Sequence, residues 1–268
     1  MKLDKDRLQQ FKMMTAPPGW RSRIGIIIPS SEQGIAIREH EMIFPEGVVP
    51  IVTRMMLSQT TAEALIKMGK DAEYAAELIA TSNPSCVSYS CTSGAFLKGT
   101  EFDKNLIEKL EKITDSPATT MAKASLEALK EIGAKRILLV CPYNEEIVKS
   151  ELSYFKNSGI NIVHHKGLGL SDTNKIYRIT PWETYQLVME AFREIPAGEA
   201  EAIFISCGGL RSVEIIEYVE KGTGIPCITS NQANAWHCLK LSGIHDPIFG
   251  FGTLLEKNQE RIKKPFAR

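Results

Sequence analysis

The chain lacks most of the features that announce a function. It has no charge excess: Lys and Arg number 32, Asp and Glu number 32, and the formal net charge is zero. Such a surface offers no long-range attraction to polyanions, so nucleic acid and an anionic bilayer are not expected partners. No run approaches the roughly 18 to 20 apolar residues that cross a membrane, and the charged start, MKLDKDRLQQFKMM, has no apolar segment of the kind that directs export. Six cysteines in 268 residues are too few for a disulfide scaffold, so they are expected to remain thiols in a cytoplasmic protein.

Metal and nucleotide signatures are missing as well. There is no Cys-x-x-Cys, His164-His165 has no i, i+4 partner, and His237 and Cys238 are helix neighbours facing different directions, so no metal site is expected. Gly167-Leu168-Gly169-Leu170 lacks the third glycine of a dinucleotide loop, no phosphate-binding Walker A sequence occurs, and no serine sits in a Gly-x-Ser-x-Gly elbow. The expectation is chemistry without a cofactor.

What is present is an ordinary globular composition, 43% hydrophobic and 24% charged, long enough for one large α/β unit or two small lobes. Short β-rich apolar runs at 24–28, 86–90, 136–140, 160–164, 202–206, 227–229 and 248–251 alternate with helical spacing around Leu65 to Ile79, Leu106 to Ile113, Ile147 to Phe155 and Leu187 to Phe192. Asp103 and Asn144 are candidate caps, and Thr180-Pro181-Trp182-Glu183 combines a capping box with proline at the first helical position. Such alternation predicts right-handed βαβ crossovers and parallel sheets flanked by helices.

The pattern also repeats. A buried strand runs into Pro29 and another into Pro142; Val87-Ser88-Tyr89-Ser90-Cys91 resembles Ile203-Phe204-Ile205-Ser206-Cys207; and Pro117-Ala118-Thr119-Thr120 resembles Pro226-Cys227-Ile228-Thr229, at offsets of 113, 116 and 109 residues. A duplication follows, with two pseudo-twofold-related lobes: 1–117 plus 224–268, and 118–223. Equivalent strand ends then face each other across a cleft, where ligands of parallel sheets bind, and Cys91 opposes Cys207. Cys91 precedes Thr92-Ser93-Gly94 and Cys207 precedes Gly208-Gly209, so each thiol is expected among free backbone N–H groups that lower its pKa. Cys86, Cys141, Cys227 and Cys238 read more simply as core.

Pro29-Ser30-Ser31, Cys91-Thr92-Ser93-Gly94-Ala95-Phe96, Tyr143 and Ser206-Cys207-Gly208-Gly209-Leu210 together resemble the aspartate/glutamate racemase superfamily, in the branch of maleate cis-trans isomerases and arylmalonate decarboxylase, over about residues 22–254. The resemblance implies two similar α/β lobes around a cofactor-free site for a small carboxylate or dicarboxylate. In that branch a cysteine pair serves isomerases and racemases, while the decarboxylase keeps only the second. It implies Cys91 as nucleophile or first base and Cys207 as opposing acid, with Thr92, Ser93 and Tyr143 as carboxylate donors. Ser30 would stand at the cleft wall and the Gly208 and Gly209 N–H groups near the second thiol, and a homo-oligomer is the family habit. Two departures stand out: Glu32 occupies the place of a family Asn, and Thr173-Asn174 leaves the register of a second ligand, Thr173, ambiguous by one. The expected activity is maleate cis-trans isomerisation. The alternatives are a racemase or epimerase of an amino or hydroxy acid, an arylmalonate-type decarboxylase, and a non-catalytic carboxylate-binding protein.

Overall fold

Ile24, Ile26, Ile27 and Ile28 are completely buried in strand β1 (Ser22–Pro29), which has neighbours on both edges and helices over its faces. A computed structural model describes residues 16–57, 59–68, 71–97 and 99–257; the charged start lies outside them. After β1 come α1 (Ile35–Ile43), β2 (Val48–Met55), α2 (Ala62–Met68), α3 (Ala72–Ala80), β3 (Cys86–Tyr89), α4 (Thr92–Phe96), α5 (Gly99–Thr114), β4 (Ala118–Thr120) and α6 (Met121–Glu131). The second half runs through β5 (Arg136–Tyr143), α7 (Glu145–Asn157), β6 (Asn161–Leu170), α8 (Thr173–Tyr177), α9 (Pro181–Arg193), β7 (Ala202–Ile205), α10 (Ile216–Thr223), β8 (Cys227–Thr229), α11 (Ser230–Leu241) and α12 (Thr253–Glu256).

The strands form two four-stranded parallel sheets of identical topology, β2-β1-β3-β4 and β6-β5-β7-β8. Equivalent strands β3 and β7 lead into Cys91 and Cys207, as the repeat requires. Sheet pairing shifts the expected lobe boundaries. β4 pairs with β3 (Val87↔Ala118) and β8 with β7 (Ile203↔Cys227), so divisions at 117/118 and 223/224 put each three-residue strand in the wrong half. The halves exchange one element later, where α6 and α11 pack together and α11 also covers α1, β3 and β4.

Other expectations are corrected too. β2 was not predicted; Pro50 interrupts its pattern, and a proline is tolerated there because β2 is an edge strand. The helix expected across 65–79 is two helices, α2 and α3, and 248–251 forms no strand. Asn144 caps α7 by accepting from the Ile147 N–H, and the Thr180–Glu183 box caps α9. Asp103 is no cap: it is buried within α5, where its carboxylate accepts from the hydroxyls of Thr120 and Tyr154. Among the described residues no helix is long and apolar enough to cross a membrane.

Candidate active site

The carboxyl ends of β1, β3, β5 and β7 converge on a cavity of about 40 Å³ between the two sheets. Cys91, Thr92 and Ser93 line it from one half, and Tyr143, Cys207, Gly208 and Gly209 from the other. Both thiols are therefore brought together, each more than nine-tenths buried. Cys91 has an extended backbone and stands directly before α4. Burial raises its pKa, opposed by the Gly94 N–H and by the Ser93 hydroxyl, which lies 3.8 Å from the sulfur. Cys207 is different. Its φ of 142° is foreign to side-chain-bearing residues, and the turn is held by the Cys207 N–H donating to Ser230 Oγ (3.0 Å) and the Gly209 N–H donating to Cys207 Sγ (3.3 Å). Burial pushes this thiol up to about 12, despite hydrogen bonds from the Tyr143 hydroxyl and the Gly209 N–H. The expectation of depressed thiol pKa values is thus corrected: desolvation of the thiolate outweighs the few donors present.

A different buried polar assembly supports each thiol. Behind Cys91, the Asn234 amide donates to Ser90 Oγ (2.9 Å) and His40 Nε2 (2.9 Å), and its oxygen accepts from Ser88 (2.5 Å). His40 Nδ1 lies 2.6 Å from the Ala36 carbonyl, so one neutral tautomer satisfies both contacts, and burial lowers its pKa to about 4. Behind Cys207, Glu39 of α1 reaches across to accept from the Ser212 and Val213 N–H groups and from Asn231 Nδ2, which also donates to the Gly208 carbonyl. Burial raises Glu39 to about 7.

Thr92 is in place, although its hydroxyl is turned to Met121 Sδ. Ser30 is not at the cavity: its hydroxyl exchanges hydrogen bonds with the Leu57 backbone and so fixes the chain after β2. Thr173 is also corrected. It is buried at the start of α8 and does not line the cavity; Tyr177, one helical turn on, does. Gly209 is required by that ring, since a Cβ there would stand 2.2 Å from Tyr177 Cε1. Glu32 reaches the cavity wall, but its carboxylate accepts from the N–H groups of Gly34 (2.8 Å) and Ala36 (3.0 Å) at the start of α1. Sequence reasoning missed Tyr177, Thr60, His40, Glu39, Asn231 and Asn234. The signal available was a polar residue on each apolar helix face: Glu39-His40 in α1 and Asn231 and Asn234 in α11.

Comparison with known proteins agrees with this architecture. The chain is 25% identical over 221 residues to the arylmalonate decarboxylase of Bordetella bronchiseptica, covering 82% of this chain and 90% of that one. It is 23% identical over 246 residues to the maleate isomerase of Geobacillus stearothermophilus, covering 87% and 96%. The crystal structure of the maleate isomerase Iso from Pseudomonas putida S16 with maleate shares the fold at a TM-score of 0.81 and 23% identity, covering 88% and 98%. A Nocardia farcinica maleate cis-trans isomerase mutant with a covalently bound succinylcysteine intermediate gives the same TM-score at 22% identity, covering 89% and 99%. The arylmalonate decarboxylase family model matches residues 24–255, nearly all of both sheets, and the chain belongs to that family of enzymes.

Proposed function

We propose that the protein is a maleate cis-trans isomerase in which Cys91 and Cys207 are the reacting groups. The observation that carries this reading is that both sulfurs line one small cavity at equivalent strand ends. One thiol would suffice to protonate a carbanion left by decarboxylation; two suit an addition followed by its reversal. The Cys91 thiolate adds to one alkene carbon of maleate, and the electron pair moves onto the other carbon and its carboxylate. Cys207 gives that carbon a proton, leaving a succinyl thioether with a single bond about which the chain rotates. The Cys207 thiolate then removes a proton from the same carbon, the C–S bond breaks, and fumarate leaves with Cys91 again a thiolate. No redox equivalent is consumed, because every bond made is broken. Ser93, Tyr143 and the Gly208 and Gly209 N–H groups surround the position where negative charge gathers. The succinylcysteine in the Nocardia farcinica relative supports the adduct.

The test is wild-type protein incubated with maleate, and Cys207→Ser protein quenched with maleate for mass analysis of the peptide bearing Cys91. Fumarate from the first and a succinyl adduct in the second are expected. Carbon dioxide released from an arylmalonate without any fumarate would make the chain a decarboxylase. Deuterium entering the Cα of a chiral amino or hydroxy acid, with no adduct, would make it a racemase.

A further inference from the structure

Helix α7 buries Ile147, Val148, Glu151, Tyr154 and Phe155 on one face, and the glutamate in that apolar stripe has no part in the chemistry above. Its exposure is 0%, and neither carboxyl oxygen completes a well-formed hydrogen bond with any described residue. An isolated buried carboxylate is among the most unfavourable groups a fold can hold, so a helix that could have carried leucine there carries a cost. The position is specific. The carboxyl faces the hydroxyl of Ser206, the residue before Cys207, and lies within electrostatic reach of Cys207, Tyr143 and Cys141. No cation offsets it. From α5, Asp103 is turned to Thr120 and Tyr154; from β6, His164 and Lys166 are turned to Glu194 on the outer surface. Cys91 has no such carboxylate behind it; the groups acting on it are Gly94 and Ser93.

We propose that Glu151 is a positioning residue for the second thiol: a carboxyl sealed behind Cys207 whose negative charge holds Cys207 in the thiol form. The inference rests on the isomerase reading for its purpose, since a proton donor opposite a nucleophilic Cys91 must keep its proton until the adduct forms. Burial raises Glu151 to about 8 and Cys207 to about 12, so as pH rises the carboxyl ionises first and its charge then opposes ionisation of the sulfur. The pair behaves as a shared reserve, and the thiol persists into alkaline solution.

The experiment is the alkylation rate of each cysteine by iodoacetamide, followed by peptide mapping between about pH 6 and pH 10, in wild type and Glu151→Gln, with Glu146→Gln on the exposed side of α7 as control. In Glu151→Gln, Cys207 is expected to react about tenfold faster near the alkaline end, while Cys91 changes less than about twofold. Should the amide variant fail to fold, Glu151→Leu removes the same charge and suits the apolar stripe. Unchanged Cys207 rates, or equal acceleration of both thiols from loosened packing, overturn the proposal. Turnover gives a second reading, because the alkaline limb of the maleate rate profile should move to lower pH in the variant. A chain that shows the thiol effect without isomerising maleate keeps this inference and loses the isomerase assignment; fumarate formation with no thiol effect does the reverse.

Discussion

Cys91 and Cys207 occupy equivalent places in two sheets of the same topology, and their surroundings have diverged. The first sits on extended backbone over a neutral network of Ser88, Ser90, Asn234 and His40. The second sits on a strained turn with Glu39 tying down its loop and Glu151 behind it. A duplication supplies two thiols of equal standing; the groups beneath them make one easier to ionise than the other. Division of labour in this site is thus a property of the layer under the sulfurs, since the residues at the sulfurs repeat.

The comparison is broken most directly at the thiols. Cys91→Ala should lower maleate turnover by at least about a thousandfold with no adduct anywhere, whereas Cys207→Ala should still accept substrate carbon on Cys91. Adduct formation on Cys207 in the first variant would reverse the assigned roles. The next largest effect is expected at Gly209→Ala, whose methyl must displace the Tyr177 ring. We expect about a hundredfold loss in kcat/KM, seen in steady-state kinetics, with recovery when Tyr177 is shortened to Leu in the same chain. An unimpaired alanine variant would show that the ring is not part of the working site.

Stability sharpens the same contrast. Asn234→Ala leaves His40, Ser88 and Ser90 without their shared partner, and we expect a loss of about 2 to 3 kcal/mol in denaturant unfolding. The smallest effect is the slope of stability with pH, which should have opposite sign on the two sides. His40 stays neutral in the fold down to about 4, so its contribution is present above about 6.5 and is lost as pH falls toward 4, by about 1.4 kcal/mol per unit. Glu39 and Glu151 keep their protons to about 7 and 8, so their contribution is present below about 4.5 and is lost as pH rises through that window. His40→Gln should flatten the acid side and Glu151→Leu the alkaline side, both read from urea midpoints across pH. Identical profiles would mean that these burial effects do not reach the unfolding equilibrium.

The strand ends were legible because two physical signals coincided there: an apolar run buried on both faces, and a repeat that placed cysteine at the same point in each half. Tyr143, Gly208 and Gly209 came with them, being adjacent in sequence to those ends. Ser30 and Thr173 failed because proximity along the chain says which strand end a residue is near and not which way its side chain turns; Ser30 turns to Leu57 and Thr173 into the first turn of α8. β4 and β8 were misplaced because three residues are too few to carry a period. The buried supports were hidden for another reason. His40 meets Asn234 across 194 positions and Glu39 meets Ser212 across 173, and no local pattern registers such a contact.

The backbone at Cys207 has an evolutionary corollary. A φ of 142° lies in territory where glycine is at ease and any side chain costs about 1 to 3 kcal/mol, so mutation to glycine at this position would make the fold more comfortable. Selection for folding alone would push this codon toward glycine, as in the two residues that follow it. A sulfur persists there only while something rewards it each generation. Position 207 is in that sense a gauge: a descendant released from its reaction should lose this cysteine early, and should gain thermal stability in doing so.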